Sequence, residues 1–393
     1  MPRPSRWITG ALLAALVACS SSRPPEPPRD YTLPLPEGAP ALIAVPAGQW
    51  PDMAAQWNER QQLLPALQAS IDWFSRPSSV DAFPVAGVDH ERALESLVRF
   101  ERALVQSRSA AVFGSRLVRE FELYRSAGWD GQGGGVLFTG YCTPIVQGRL
   151  QRDADHPWPL YGLPADLVKG EDGSILGQRR SDGTLGSYPD RRAIETRQLL
   201  AGLELIWLAD PLDAYLAHVN GSVVVRLEDG SLTRFGYAGK NGLGYTSLRA
   251  HLVEAGAVSA AAAGLPSLRA WAAATPIATV LDSLRKNPSF VFFHRIDGLP
   301  RGSMNLPVTA GRTLATDKSV FPRGGLVFVD TRLPSGPGGV DRPFQRFMLD
   351  QDTGGAIRSA GRADIYLGSG HDAERIAGST AAEGQLYYLF ARE

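Results

Sequence analysis

Residues 349–368, LDQDTGGAIRSAGRADIYLG, hold three aspartates, a glycine pair and the opening of a strand in one run of twenty residues. Asp350 and Asp352 precede Gly354 and Gly355, and Asp364 leads into the apolar Ile365, Tyr366 and Leu367. A carboxylate at the head of a strand, with a second held near it by a glycine turn, is what acid/base chemistry on a glycosidic bond requires. Aspartates ahead of glycines are also ordinary turn residues, because the short side chain bonds its own backbone. Spacing alone leaves both readings open.

Around that run the C-terminal hundred residues read as short strands between turn signals, at 290–294, 312–316, 325–329, 344–349, 363–367 and 385–391. Such a series predicts a small closed barrel. Further back, Val223, Val225 and Leu227 alternate with polar residues, Asp229-Gly230 supplies a turn, and Leu232, Arg234 and Phe235 return, which predicts a hairpin over 221–236. Another apolar strand, VLFTGYCTP at 136–144, follows the glycine run 131–135.

Helical spacing dominates before it. Trp57, Leu64, Leu67, Ile71 and Phe74 recur at three- to four-residue steps, and Asp89 is placed to cap a helix carrying Leu94, Leu97, Val98 and Leu104. A third helix is expected from Ser109 towards Tyr124, with Val112, Leu117, Phe121 and Tyr124 inward. A helical pattern returns over 191–208, and two short helices are expected over 246–254 and 276–285. The fold class is therefore mainly β with a helical N-terminal part. The 42 glycines and 29 prolines suit that turn-rich class better than a helical bundle.

Forty basic residues balance forty acidic ones, so no net field favours nucleic acid as a partner. The six histidines are scattered, with no pair four apart on a helix, so neither a metal nor another cofactor is expected. Arg3 and Arg6, the apolar run 8–17 and the closing Leu16-Val17-Ala18-Cys19 resemble a lipoprotein signal, residues 1–19, in which Cys19 is lipidated. Residues 20–40, with seven prolines, then form a tether rather than a core. Cys142 is left without an intramolecular partner and is expected to be a small buried thiol.

Five segments together resemble the MltA-type membrane-bound lytic murein transglycosylases: TGYCTP at 139–144, YPDRRAIE at 188–195, GYAGKNG at 236–242, NPSFVFF at 287–293, and 349–368. The resemblance implies a double-psi β-barrel built from 41–143 plus 299–393, interrupted by an insert domain over 144–298, with a glycan groove between them. It assigns three aspartates of a 3D module to Asp317, Asp352 and Asp364, with Asp364 as catalytic acid/base and the other two as supporting carboxylates. Thr139, Tyr141, Asn220, Ser222, Tyr237, Lys240, Asn241 and Gly242 fall in motifs that line the family's groove, and Lys240 is assigned to a substrate carboxylate. Two positions depart from the family pattern. Asn220-Gly-Ser-Val223 stands where glutamine, glycine, serine, glycine is usual, and Cys142 where an aromatic is common.

The implied reaction is non-hydrolytic cleavage of the β-1,4 bond between MurNAc and GlcNAc, the C6 hydroxyl of MurNAc closing a 1,6-anhydro ring. One aspartate then suffices, as acid and afterwards as base. The implied location is the outer membrane, facing the periplasm, with peptidoglycan strands as partner and cell-wall synthesis or division machinery as a candidate second partner. Two alternatives stand beside this reading: a glycoside hydrolase using Asp352 and Asp364 as a pair, and a non-catalytic peptidoglycan-binding lipoprotein.

Overall fold

The computed structural model describes residues 29–170, 174–259, 264–298, 300–336, 339–355 and 357–392. The signal, Cys19 and the first part of the tether lie outside them. Residues from Tyr31 onward form one compact unit.

The chain enters through strand β1 (Leu42–Val45) and three helices, α1 (Arg60–Phe74), α2 (His90–Gln106) and α3 (Ala110–Glu120). Asp89 caps α2 through its side-chain oxygen, as expected, and Ser109 caps α3 in the same way. The third helix stops short of the expected Tyr124, because Phe121–Ser126 is strand β2, with Phe121 and Leu123 buried on one face. Its backbone is claimed by β1 on one side and by the C-terminal strand on the other. Strand β3 (Val136–Thr143) then runs up to Pro144.

A second group of elements follows: β4 (Ile145–Arg149), β5 (Trp158–Tyr161), β6 (Leu167–Lys169), β7 (Ile175–Arg179), β8 (Leu185–Gly186), α4 (Arg191–Thr196), β9 (Glu204–Leu208) and α5 (Pro211–Asn220). The hairpin β10 (Ser222–Arg226) and β11 (Leu232–Lys240) forms as expected, with Ser222 opposite Gly236 and Gly230 in the left-handed region of the turn. Helices α6 (Leu248–Glu254), α7 (Leu265–Ala274) and α8 (Ile277–Leu284) lead into β12 (Val291–Ile296). The helix expected over 191–208 is only its first turn and a half. Leu200 closes a turn onto Leu203, and Leu-Ile-Trp-Leu continues as strand β9, between β4 and β5.

The C-terminal strands are β13 (Thr313–Ala315), β14 (Leu326–Pro334), β15 (Asp341–Asp352), β16 (Arg362–Ser369) and, after α9 (His371–Ser379), β17 (Ala381–Ala391). Each falls on an expected strand, and all but β13 are longer than expected. The large sheet has the order β1-β2-β17-β14-β15-β13-β16-β3, and β3 pairs again with β17. That last pairing closes six strands into a ring and leaves β1 and β2 as an extension along β17. Strands β4, β5 and β9 to β12 form a separate six-stranded sheet, and β6 to β8 a three-stranded one. The change of sheet falls at Pro144, between β3 and β4.

The helices hold the ring from outside. Phe100 and Phe113 of α2 and α3 meet Phe347 of β15 edge-on, at 4.9 and 6.1 Å between ring centroids. Gln351 donates to the Ala66 carbonyl and Ser70 hydroxyl of α1 at 2.7 and 3.0 Å, which ties α1 to the end of β15. Next to it Asp350, fully buried, binds the Lys318 ammonium and accepts from Thr316 and Tyr388, both at 2.7 Å.

Removing one partner of a buried ion pair leaves an uncompensated charge and costs roughly 3–5 kcal/mol, whereas removing both is much cheaper. Urea unfolding should therefore show Asp350→Ala destabilised by that order, and the double variant Lys318→Met, Asp350→Ala less destabilised than the single one.

Candidate active site

Strand β16 carries Asp364, and its parallel neighbour β3 sets Thr139 directly opposite. The Thr139 hydroxyl donates to Asp364 Oδ1 across 225 residues of sequence. Period-two alternation sends Ile365 into the core on the other face and keeps Arg362 and Tyr366 on the same face as Asp364. Arg362 Nη2 lies 3.7 Å from Asp364 Oδ1 and donates to Thr139 Oγ1 at 3.2 Å.

Asp352 closes β15 and is nearly buried. Its Oδ1 accepts from the backbone N–H groups of Ser303 and Thr353, at 2.7 and 2.8 Å, and its Oδ2 accepts from the Tyr141 hydroxyl at 2.7 Å. Gly302 is required beside it, since a Cβ there would stand 2.9 Å from the carboxyl carbon. The glycine pair at 354–355 is therefore not what holds this carboxylate. Tyr141 also packs on Tyr366, with ring centroids 5.1 Å apart, and Tyr366 shares a hydrogen bond of 2.9 Å with Thr143.

Burial pushes the Asp364 carboxyl up to about 6, with Arg362 opposing the rise and the charge of Asp352 adding to it. A fifth of the side chain stays exposed, enough to meet a substrate. Burial and the adjacent Asp352 likewise push the Tyr141 phenol well above its ordinary value, so it donates and does not ionise. Cys142, on the opposite face of β3, is buried, and burial together with Glu374 pushes its thiol up to about 12. It is a packing residue.

Asp317 does not join this cluster. Burial pushes its carboxyl up, but hydrogen bonds from the Ser319 hydroxyl at 2.7 Å and the Ser359 N–H at 2.9 Å, with further help from Arg358, hold it below the usual range. It ties the turn after β13 to the segment entering β16, and so acts on the strand that carries Asp364.

The expected groove residues of the second sheet form a separate group. Val224 of β10 pairs in parallel with Ile145, so the same register sets Ser222 level with Thr143 at the end of β3. Asn220 is exposed at the end of α5, where Gly221 takes the left-handed conformation (φ 68°), and Tyr237, half exposed, packs near that glycine. Lys240 is exposed at the end of β11. Asn241 is buried with its amide fully used: it donates to the Pro189 and Pro288 carbonyls at 3.0 and 2.9 Å and accepts from Phe290 N–H at 2.9 Å. Asn241 thus holds loops together, and Gly242, with φ 80°, completes its turn against Ile175. Arg362 is the site residue that sequence reading passed over. Its signal was available, two positions before Asp364 on the same strand face.

Comparison with known proteins fits this geometry. A family model described as the MltA specific insert domain matches residues 137–294, and one described as the 3D domain matches 312–390. The membrane-bound lytic murein transglycosylase A of Vibrio cholerae is 32% identical over 265 residues, 67% of this chain and 67% of that protein. The Escherichia coli K12 protein of the same name is 30% identical over 280 residues, 70% and 71% of the two chains.

The chain belongs to the MltA family.

Solved MltA structures agree in fold. The membrane-bound lytic murein transglycosylase of Agrobacterium tumefaciens superposes with a TM-score of 0.73 at 24% identity, covering 90% of this chain and 98% of that one. Escherichia coli MltA with bound chitohexaose gives 0.63 at 26% identity, covering 93% and 96%. No helix among the described residues is long and apolar enough to cross a membrane, and none of their His, Cys, Asp and Glu side chains cluster to hold a metal.

A carboxyl whose folded value lies above its unfolded one favours folding only while it is protonated. Its penalty is absent below about pH 4 and grows as the pH rises through about 6. A rise from 3.8 to about 6 corresponds to at most about 3 kcal/mol. Asp364→Asn should therefore unfold at higher temperature than the parent at pH 7.5 and at the same temperature at pH 3.5, which calorimetry at the two pH values checks.

Proposed function

We propose that this MltA-family chain cleaves the β-1,4 bond between MurNAc and GlcNAc in peptidoglycan without water, leaving 1,6-anhydro-MurNAc ends. Asp364 donates a proton to the glycosidic oxygen as the bond to C1 breaks. It then takes the proton of the MurNAc C6 hydroxyl as that oxygen bonds to C1. Because the nucleophile belongs to the substrate, no second carboxylate has to activate water.

One observation carries this reading. Asp364 is raised into the range of a working acid, while both oxygens of its neighbour Asp352 are already engaged by Tyr141, Ser303 and Thr353. A paired-carboxylate hydrolase needs the second group free to hold a water or attack the sugar. A binding scaffold has no use for a carboxyl raised at the cost of stability. The chitohexaose held by the Escherichia coli relative supports a glycan strand as ligand.

The remaining assignments belong to the same proposal. The closed six-strand ring supports the double-psi barrel over 41–143 and 299–393, and the separate sheets between Ile145 and Ile296 support the insert domain over 144–298. Thr139, Tyr141, Asn220, Ser222, Tyr237, Lys240 and Gly242 line the groove, with Asp317 and Asn241 acting through the backbone they fix. Cys19 carries the lipid that anchors the chain to the outer membrane, with residues 20–40 as tether towards the periplasm. The membrane-bound relatives are consistent with that anchor.

Mass spectrometry of products from purified sacculi should find anhydro ends one water lighter than hydrolysis products, and Asp364→Asn should lose at least about 100-fold in rate. The kcat profile should fall as the pH rises through about 6, without the acidic limb that an ionised partner carboxylate imposes on a hydrolase. Hydrated reducing ends, or a bell with two carboxylate limbs, would replace this mechanism by the paired one.

A further inference from the structure

Arg362 stands beside the acid for a reason that follows from hydrogen-bond bookkeeping. A guanidinium has donors only. At Thr139 Oγ1, therefore, Arg362 gives and the hydroxyl receives, which leaves the hydroxyl's own hydrogen to be given away. The acceptor is Asp364 Oδ1, and the same oxygen faces the guanidinium at 3.7 Å. An oxygen that accepts a hydrogen bond and faces a cation is the poorer site for the acid's proton.

We propose that Arg362 is a positioning residue that, through Thr139, commits Asp364 Oδ1 to the acceptor role and keeps the transferable proton on Oδ2. This rests on the reading of Asp364 as proton donor and extends it to a named oxygen. The proton leaves Oδ2 for the glycosidic oxygen as the C1–O bond breaks. The negative charge left behind settles on Oδ1, between Arg362 and Thr139. Oδ2 then accepts the proton of the C6 hydroxyl as the new O6–C1 bond closes, and the acid is restored with its proton on the starting oxygen.

A second observation indicates that Arg362 is not there for stability. Its Nε is buried and finds no hydrogen-bond partner among the described residues, and such an orphaned donor costs roughly 1–3 kcal/mol. Local rules broken without a structural gain are characteristic of functional positions. The charged and titratable groups that bear on Asp364 are Arg362 from its own strand, Asp352 from the end of β15 and Tyr141 from β3; opposite it on β13 stands only Ala315. Arg362 is the cation among them, so its removal has a definite sign: the carboxyl becomes harder to ionise.

The experiment uses the full chain on purified sacculi, with kcat and KM measured across pH for Arg362→Met, Arg362→Lys, Thr139→Val and Thr139→Ser. Arg362→Met is expected to lower kcat by about tenfold with KM little changed, and to move the falling limb of the profile upward by about one pH unit. Thr139→Val should do the same in kind, Thr139→Ser should restore both quantities, and Arg362→Lys should restore the limb more fully than kcat. A raised KM with an unmoved limb in Arg362→Met would make Arg362 a substrate contact and overturn the proposal, as would a parent-like profile in Arg362→Met or in Thr139→Val. If Arg362→Met does not fold, Arg362→Lys and the Thr139 pair decide by the same limb. Activity surviving in Asp364→Asn is the separate outcome that removes the underlying reading, whereas loss there with an unmoved limb here removes only the role of Arg362.

Discussion

Everything at the site depends on one ladder, the parallel pairing of β3 with β16. Parallel neighbours cannot be joined by a tight turn, so a long connection between them is obligatory. Here that connection holds two further sheets and most of the shorter helices. The register puts Leu137 beside Arg362, Thr139 beside Asp364 and Tyr141 beside Tyr366. A slip of β3 by one residue would turn Thr139 and Tyr141 away from both carboxylates and into the core. The fully buried Phe138, Ala363 and Ile365 on the opposite face make that slip prohibitively expensive. The same apolar alternation that closes the ring thus fixes the chemistry on its outer rim.

Asp352 and Asp364 illustrate how two identical side chains, close together in one short stretch, become different reagents. Asp352 receives three donated hydrogen bonds and is a fixed acceptor around which Tyr141 and the Gly302–Ser303 backbone are arranged. Asp364 receives one from Thr139, loses most of its water and feels the anion next door. At Asp364 desolvation outweighs what its neighbours donate and raises the carboxyl, while the oxygens of Asp352 are committed to three donors, and that difference separates acid from scaffold. Asp350, adjacent in sequence, is a third case: pointed inward, it has become half of a buried ion pair with Lys318.

Much of this was legible in the sequence, and the failures have physical causes. The Asp89 cap and the Asp229-Gly230 turn read well because their chemistry is local, each acting within three residues. The strand β2 was misread because Leu117, Phe121 and Tyr124 satisfy helical spacing while Phe121 and Leu123 satisfy strand spacing, and only the distant β17 decides between them. Asn241 shows the converse limit. Its polarity and its place in a groove motif suggested contact with a ligand, but the carbonyls of Pro189 and Pro288, far away in sequence, take both of its donor hydrogens. Arg362 shares a strand face with Asp364 by simple counting, but its tie to Thr139 is made across the β3–β16 ladder, which the local sequence does not display.

The closure of the ring also has a temporal meaning. Strand β17 bridges β14 and β3, and among the ring strands it is the last to be synthesised. Until residues 381–391 arrive, β3 lacks one of its two neighbours in the ring and the barrel stays open along that seam. Strand β3, which holds Thr139 against Asp364, is thereby flanked on both sides only once β17 is in place.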